Sequence, residues 1–130
     1  MRSTIAAGAE FLLRHHVHRR SHDLTRDSKP GWRRFGFPLM YQTDALEILL
    51  ILTRLGREGA TTPEGAPIMG DERLREALDL VASRADAQGR WRLQQTFNDR
   101  FIVPIETKGE PSRWVTLRAL EVIGSQPAPT

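Results

Sequence analysis

The histidines are the first candidates for chemistry in this sequence, because all four lie within eight residues: His15, His16, His18 and His22. His15, His18 and His22 are spaced three and four residues apart, so a helix that continued through His22 would carry them on one face. Histidines at such spacing can bind zinc or nickel, and Asp23 could complete the set. Three cationic side chains crowd the same turn: Arg14, Arg19 and Arg20. Because cations oppose metal binding, a polar helix end is favoured and no cofactor is predicted.

Aromatic side chains form a second candidate site: Trp32, Phe35, Phe37, Tyr41, Trp91 and Trp114. They could line a pocket for a hydrophobic small molecule. The arginines between Trp32 and Phe37 could also let that segment stack single-stranded nucleic acid. Packing in the core and in turns is the simpler interpretation, because two of the tryptophans occupy corresponding positions of a repeat described below.

The charge distribution bears on nucleic-acid binding as well. The net charge is +3, but residues 1–40 hold 8 Lys and Arg against 3 Asp and Glu, whereas residues 41–130 hold 11 against 13. A basic end of this kind could contact phosphates. A solvated basic loop is the favoured interpretation, so nucleic acid is retained only as an alternative partner.

Composition excludes several classes of site. The chain has no cysteine, which removes disulfides, thiolate zinc sites, iron–sulfur clusters and cysteine nucleophiles. No apolar run approaches the ~20 residues that a membrane span needs, and the first residues lead into no signal-peptide segment. The 130 residues are enough for one domain with a true core. A cytoplasmic protein without a membrane span is therefore expected.

Hydrophobic periodicity predicts four helices and no convincing strand pair, hence an all-α protein. The first covers about residues 4–19, the second begins at 39 or 43 and ends near 55, the third lies between Asp71 and Gly89, and the fourth begins at Pro111. Two helical hairpins result, at about 4–55 and 71–124, with a linker at 56–70 and a disordered tail at 125–130. The fourth helix carries its large apolar residues at Trp114, Leu117, Leu120 and Ile123.

The hairpins share a pattern of residues. Leu80-Val81 is followed by Ala85 and by Gly89-Arg90-Trp91, which lead into the helix that carries Trp114. Phe11-Leu12 is followed in the same way by His16 and, after a longer loop, by Trp32. This pattern resembles the repeat of the prenyltransferase and squalene (terpenoid) cyclase family, which reads aromatic–aliphatic, Gln, Gly-x-Trp. Ala85 and His16 stand at the family's Gln position.

The resemblance implies an α/α-toroid, here a partial arc, in which the Gln and Trp tie an outer helix to the next turn. The acidic motifs of the family's cyclases and synthases, Asp-x-Asp-Asp and Asp-Asp-x-x-Asp, are absent, and so is the cysteine of its zinc transferases. The family's known reactions therefore do not carry over.

The resemblance also places the N-termini of inner helices at a central cavity, so Asp44 could act there as an acid. Its predicted pocket is lined by Trp32, Phe37, Tyr41, Asp44, Trp91, Arg113 and Trp114. A carboxylate that stabilises its own helix dipole, or that pairs with Arg34 or Arg113, is the favoured interpretation.

Four helices make only part of a toroid of roughly a dozen, whose end hairpins lack neighbours. We therefore expect a homo-oligomer or a missing toroid portion, the chain being a remnant or C-terminal piece of a longer protein. A non-catalytic domain with a binding or structural role is the favoured function. The alternatives are an isoprenoid cyclase-like enzyme that uses Asp44 and a nucleic-acid-binding module that uses the basic N-terminal third.

Overall fold

Four α-helices and four short strands make up the computed structural model, which describes residues 2–20, 23–27, 32–37, 43–95 and 105–127. The helices are α1 (Arg2–Arg14), α2 (Ala45–Arg57), α3 (Arg75–Ser83) and α4 (Arg113–Gly124), with a 3₁₀ turn at Glu72–Leu74 before α3. The strands are β1 (Arg19–Arg20), β2 (Asp23–Asp27), β3 (Trp91–Arg92) and β4 (Pro111–Ser112). Antiparallel pairing joins β1 to β2 and β3 to β4, in two separate sheets.

The fold is mixed α/β, and the predicted all-α class, with two helical hairpins in a partial α/α-toroid arc, is wrong. The strand pairs occupy segments that periodicity assigned to a helix end and to loops. Three of the four strands are two residues long, too short for an alternating pattern to identify them. Of the predicted tail, Gln126 donates from Nε2 to the carbonyl of Val122 (3.0 Å), and residues 128–130 lie outside the described part.

The first helix ends at Arg14 because the chain turns sharply after it. His16 and Val17 adopt φ of 46° and 70°, a region that costs L-residues energy and that β-branched residues rarely enter. The amide of Val17 donates to the carbonyl of Leu12 (3.1 Å), and its side chain is fully buried. Burial thus holds a turn that the local sequence disfavours, and the chain continues into β1.

Helix α2 lies in the core, as its nearly continuous apolar sequence predicts. Six of its residues are buried: Ala45, Leu46, Leu49, Leu50, Leu52 and Thr53. Helix α4 packs beside it through Val115, Ala119 and Val122. Ion pairing accompanies this packing, since the Nε of Arg54 lies 2.9 Å from the Oε2 of Glu121. Further along both helices, Arg57 donates to the hydroxyl of Ser125 (3.3 Å), so α2 and α4 run in the same direction.

Trp91 connects α3 to α4. Its side chain is buried, and its indole Nε1 donates to the carbonyl of Val81 in α3 (2.7 Å). Its backbone amide donates to the hydroxyl of Thr116 in α4 (2.8 Å). Ser112 is the N-cap of α4 and accepts from the amide of Val115 (3.0 Å), so α4 begins at Arg113, two residues after the predicted start at Pro111.

Among the described residues, each helix is too short or too polar to cross a bilayer. The longest, α1 and α2, have 13 residues each, and at 1.5 Å per residue they reach about 20 Å against a hydrocarbon core of about 30 Å.

Candidate binding face

Asp44 lies at the N-terminus of α2 with both carboxylate oxygens engaged. Oδ1 accepts from the amide of Glu47 (2.8 Å), and Oδ2 accepts from the amide of Gly36 (3.0 Å). The side chain is buried, and this desolvation raises its pKa to about 6, although both amide hydrogen bonds act in the opposite direction. Asp44 therefore caps α2 and fixes the segment around Gly36 against it. Its carboxyl does not open onto the surface.

Phe37, Trp114 and Arg118 form the aromatic cluster nearest to Asp44. The rings of Phe37 and Trp114 stack with centroids 5.1 Å apart and an interplanar angle of 14°. The guanidinium carbon of Arg118 lies 5.3 Å from the Phe37 centroid, within range of a cation–π contact. Because Trp114 and Arg118 are one turn apart on α4, this cluster packs the segment before α2 onto the first turn of α4.

The remaining predicted pocket residues that the structure describes, Trp91, Trp32 and Arg113, have other surroundings. Trp91 is buried with its indole bonded to α3. Trp32 is half-buried, and its carbonyl accepts from the amide of Ala45 (2.8 Å). Arg113 is exposed, and Tyr41 lies outside the described residues. Of the predicted pocket residues, Phe37 and Trp114 are thus the two whose rings the structure shows in contact.

Helix α4 exposes a row of large apolar side chains, here called the α4 face. Its members remain 38–59% exposed: Trp114, Leu117, Leu120 and Ile123. These are the large apolar residues of the helix, yet its buried residues are the smaller Val115, Ala119 and Val122. Ile51 of α2 is also 42% exposed. It lies one turn before Arg54, which pairs with Glu121 of α4.

The three histidines that the structure describes, His15, His16 and His18, lie in the turn between α1 and β1. The Nδ1 of His15 is 2.8 Å from the carbonyl of Phe11, and His22 lies outside the described residues. His18 is fully buried, and neither ring nitrogen has a hydrogen-bond partner in the described part of the chain. Its Nε2 lies 3.9 Å from Asp27 and 4.0 Å from Glu76. Burial lowers the pKa of this imidazole.

Arg19 pairs with both carboxylates that lie near the His18 ring. Its guanidinium pairs with Glu76 and lies 3.0 Å from the Oδ1 of Asp27. Among the described residues, no group of three His, Cys, Asp or Glu side chains is arranged to hold a metal ion.

A separate cleft of about 430 Å³ lies at the other end of α2. Its lining includes Ile5, Leu55, Glu58, Gly59, Ala60 and Thr61. None of these residues belongs to the aromatic pocket that the sequence predicts.

Comparisons of the chain with family models, with curated proteins and with solved structures find no match.

Proposed function

We propose that the chain is a non-catalytic binding domain whose α4 face receives an apolar surface of a protein partner. The observation that carries the proposal is the exposure of four large apolar side chains in a row on one helix, Leu117 at 59% and Leu120 at 53% among them. Scattered apolar residues are normal on a protein surface, whereas contiguous ones mark interaction sites. An amphipathic helix is a partner that fits such a face.

The neighbourhood of Asp44 supports binding over catalysis. An acid that protonates a substrate needs its oxygen within hydrogen-bond reach of that substrate. Both oxygens of Asp44 instead accept backbone amides. A pKa of about 6 would suit an acid, but here it follows from burial of a capping carboxylate.

A relationship to the prenyltransferase and terpenoid cyclase repeat proteins remains part of this proposal. Its support is Trp91 of β3, whose indole donates to a carbonyl near the end of α3, the kind of contact that the resemblance implies for the repeat tryptophan. Two protein partners could supply the apolar surface that covers the α4 face. One is a further portion of repeat protein, and the other is a second copy of the chain. Cytoplasmic localisation likewise remains a prediction.

Nucleic acid is less well supported as a ligand. Phe35 is fully buried, and Phe37 is stacked on Trp114. Neither ring is therefore free to stack a base in the way that single-strand binding requires. A hydrophobic small molecule on the α4 face is the second candidate, because the Phe37–Trp114 stack and Arg118 together offer an apolar surface beside a cation.

Binding of 1-anilinonaphthalene-8-sulfonate tests the exposed face. We expect the wild-type chain at low micromolar concentration to enhance the fluorescence of this probe. The double substitution Leu117→Gln and Leu120→Gln is expected to remove most of the enhancement, because it removes the two most exposed apolar side chains of the face. Fluorescence titration provides the measurement.

Phe11→Gln is the matched control, since Phe11 is 62% exposed but lies on α1. This variant is expected to bind the probe as the wild type does. Each variant should also unfold cooperatively, so that binding by a loosened core is excluded. Equal enhancement by the wild type and by the α4 double variant would contradict the proposed function.

A further inference from the structure

The outward side of α4 carries a pattern that repeats every four, three and four residues. At about 100° per residue, four positions fall within about 60° of one another around the helix axis: Arg113, Leu117, Leu120 and Gly124. They lie on the side opposite Val115, Ala119 and Val122, which pack into the core. Spacings of three and four are those of a seam between two packed helices.

The apolar positions of this stripe are arranged symmetrically about its midpoint. Its midpoint falls between Arg118 and Ala119, so reversal exchanges Leu117 with Leu120 and Arg113 with Gly124. Trp114 and Ile123, which flank the stripe, are exchanged as well. A surface of this kind is self-complementary about a two-fold axis, the commonest symmetry of homodimers.

The two end residues of the stripe, Arg113 and Gly124, are complementary: one is large and cationic, and the other has no side chain. Arg113 is exposed at the start of α4, and Gly124 is exposed at its end. A Cβ built on Gly124 meets nothing within 4 Å, so the surface there is open. In an antiparallel pair, the Arg113 side chain would extend over the partner's Gly124 towards the last carbonyls of the partner helix. Those carbonyls form the negative end of the helix dipole.

We propose that the occupant of the α4 face is a second copy of this chain, bound with the two α4 helices antiparallel about a two-fold axis. This inference rests on the proposed function, because it names the partner of the same face. A parallel pair is disfavoured because it would place Arg113 against Arg113.

The available area predicts a weak dimer. The α4 face and Ile51 present roughly 450 Å² of apolar surface per chain, so two chains would bury roughly 900 Å², below the roughly 1,200 Å² of a standard interface. We therefore expect one chain at low micromolar concentration and two chains at high micromolar concentration, with the dissociation constant between them.

Sedimentation velocity over this range of concentrations tests the proposal. Gly124→Lys is expected to weaken dimerisation at least about tenfold, because it places a cation opposite Arg113 of the second copy. Gly8→Lys is the matched control. Gly8 is also helical and exposed, and its Cβ position is open as well. This control is expected to dimerise as the wild type does.

A charge exchange tests the antiparallel register. Arg113→Glu alone is expected to weaken dimerisation, because it turns a cation into an anion at the negative end of the partner helix. Combined with Gly124→Lys, it is expected to restore most of the wild-type affinity, since opposite charges again face each other across the axis. Circular dichroism of each variant checks that α4 is intact.

A single chain at every concentration would overturn the proposal, and so would a dimer that Gly124→Lys leaves unchanged or that the combined variant fails to restore. These failures can be told apart from failure of the proposed function. If the fluorescent probe binds the α4 face of a chain that never dimerises, the face is a binding surface and the second copy is not its occupant. If the probe does not bind and no dimer forms, both proposals fail.

Discussion

Trp91→Ala is expected to lower the free energy of unfolding by about 3–5 kcal/mol, the usual cost of truncating a large buried aromatic. Trp91 is 4% exposed, and its indole Nε1 donates to the carbonyl of Val81. The substitution would leave a cavity where β3 meets α3 and α4, together with an unpaired carbonyl. Urea unfolding followed by circular dichroism gives the measurement.

Two further substitutions separate packing from hydrogen bonding at this position. Trp91→Phe keeps most of the ring and loses the Nε1 donor, so it is expected to cost less, about 1–3 kcal/mol. Trp114→Ala is the exposed counterpart, because Trp114 keeps 43% of its surface in solvent. A loss from Trp91→Ala no larger than that from Trp114→Ala would contradict the placement of Trp91.

Asp44→Ala is expected to lower the free energy of unfolding by about 2–3 kcal/mol. The substitution removes the N-cap of α2, typically worth about 1 kcal/mol. It also leaves the amide of Gly36 buried without its acceptor, which costs about 1–3 kcal/mol. The backbone at Gly36 is held on its other side, where the amide of Phe37 donates to the carbonyl of Gln95 (3.2 Å). Asp79→Ala, at an acidic position within α3, is the matched control.

The pH dependence of stability identifies the same carboxyl. Burial raises the pKa of Asp44 to about 6 from an ordinary 3.8, so between these values the native state holds a proton that the unfolded state releases. The contribution of Asp44 to the free energy of unfolding therefore falls as pH rises from about 4 to about 6. In Asp44→Asn, which retains one acceptor for the cap, this fall should disappear from the unfolding profile.

His18 contributes with the opposite sign. Burial lowers the pKa of its imidazole from 6.5, so stability from this group is lost as pH falls below that value. The difference between wild type and Asp44→Asn at each pH isolates the carboxyl, because His18 is common to both. A difference that does not vary between pH 4 and pH 6 would contradict the buried state of Asp44.

The helices are the part of the fold that local sequence predicts well. The apolar run of α2 and the Ser112 cap of α4 act within a few residues, and both are found where periodicity and capping rules place them. The strands depend on distant partners. Trp91 pairs with Ser112, and nothing in either dipeptide indicates that pairing. Tertiary burial likewise accounts for the early end of α1 at Arg14, because the buried Val17 holds the turn that follows it with a positive φ.

The candidate site was predicted in part for a similar reason. The favoured interpretation placed Asp44 at the N-terminus of its helix, as a carboxylate that stabilises the dipole or pairs with Arg34 or Arg113. An acidic residue before an apolar run is a local signal, and the structure has Asp44 as the N-cap of α2. Helix α4 instead carries two apolar stripes, and periodicity alone does not tell which of them faces the core. The structure selects the smaller residues, Val115, Ala119 and Val122. Because α4 packs closely beside α2, small side chains fit between the two helices, and the larger residues of α4 remain on the outside.

The most direct test of the α4 face as a binding surface is the stability of Leu117→Gln and Leu120→Gln together, measured by urea unfolding at low protein concentration. Both side chains are more than half exposed, and glutamine has nearly the helix propensity of leucine. We predict a free energy of unfolding within about 0.5 kcal/mol of the wild type. A loss of more than about 2 kcal/mol, the cost expected of buried leucines, would contradict the account, because the face would then belong to the core of the chain itself.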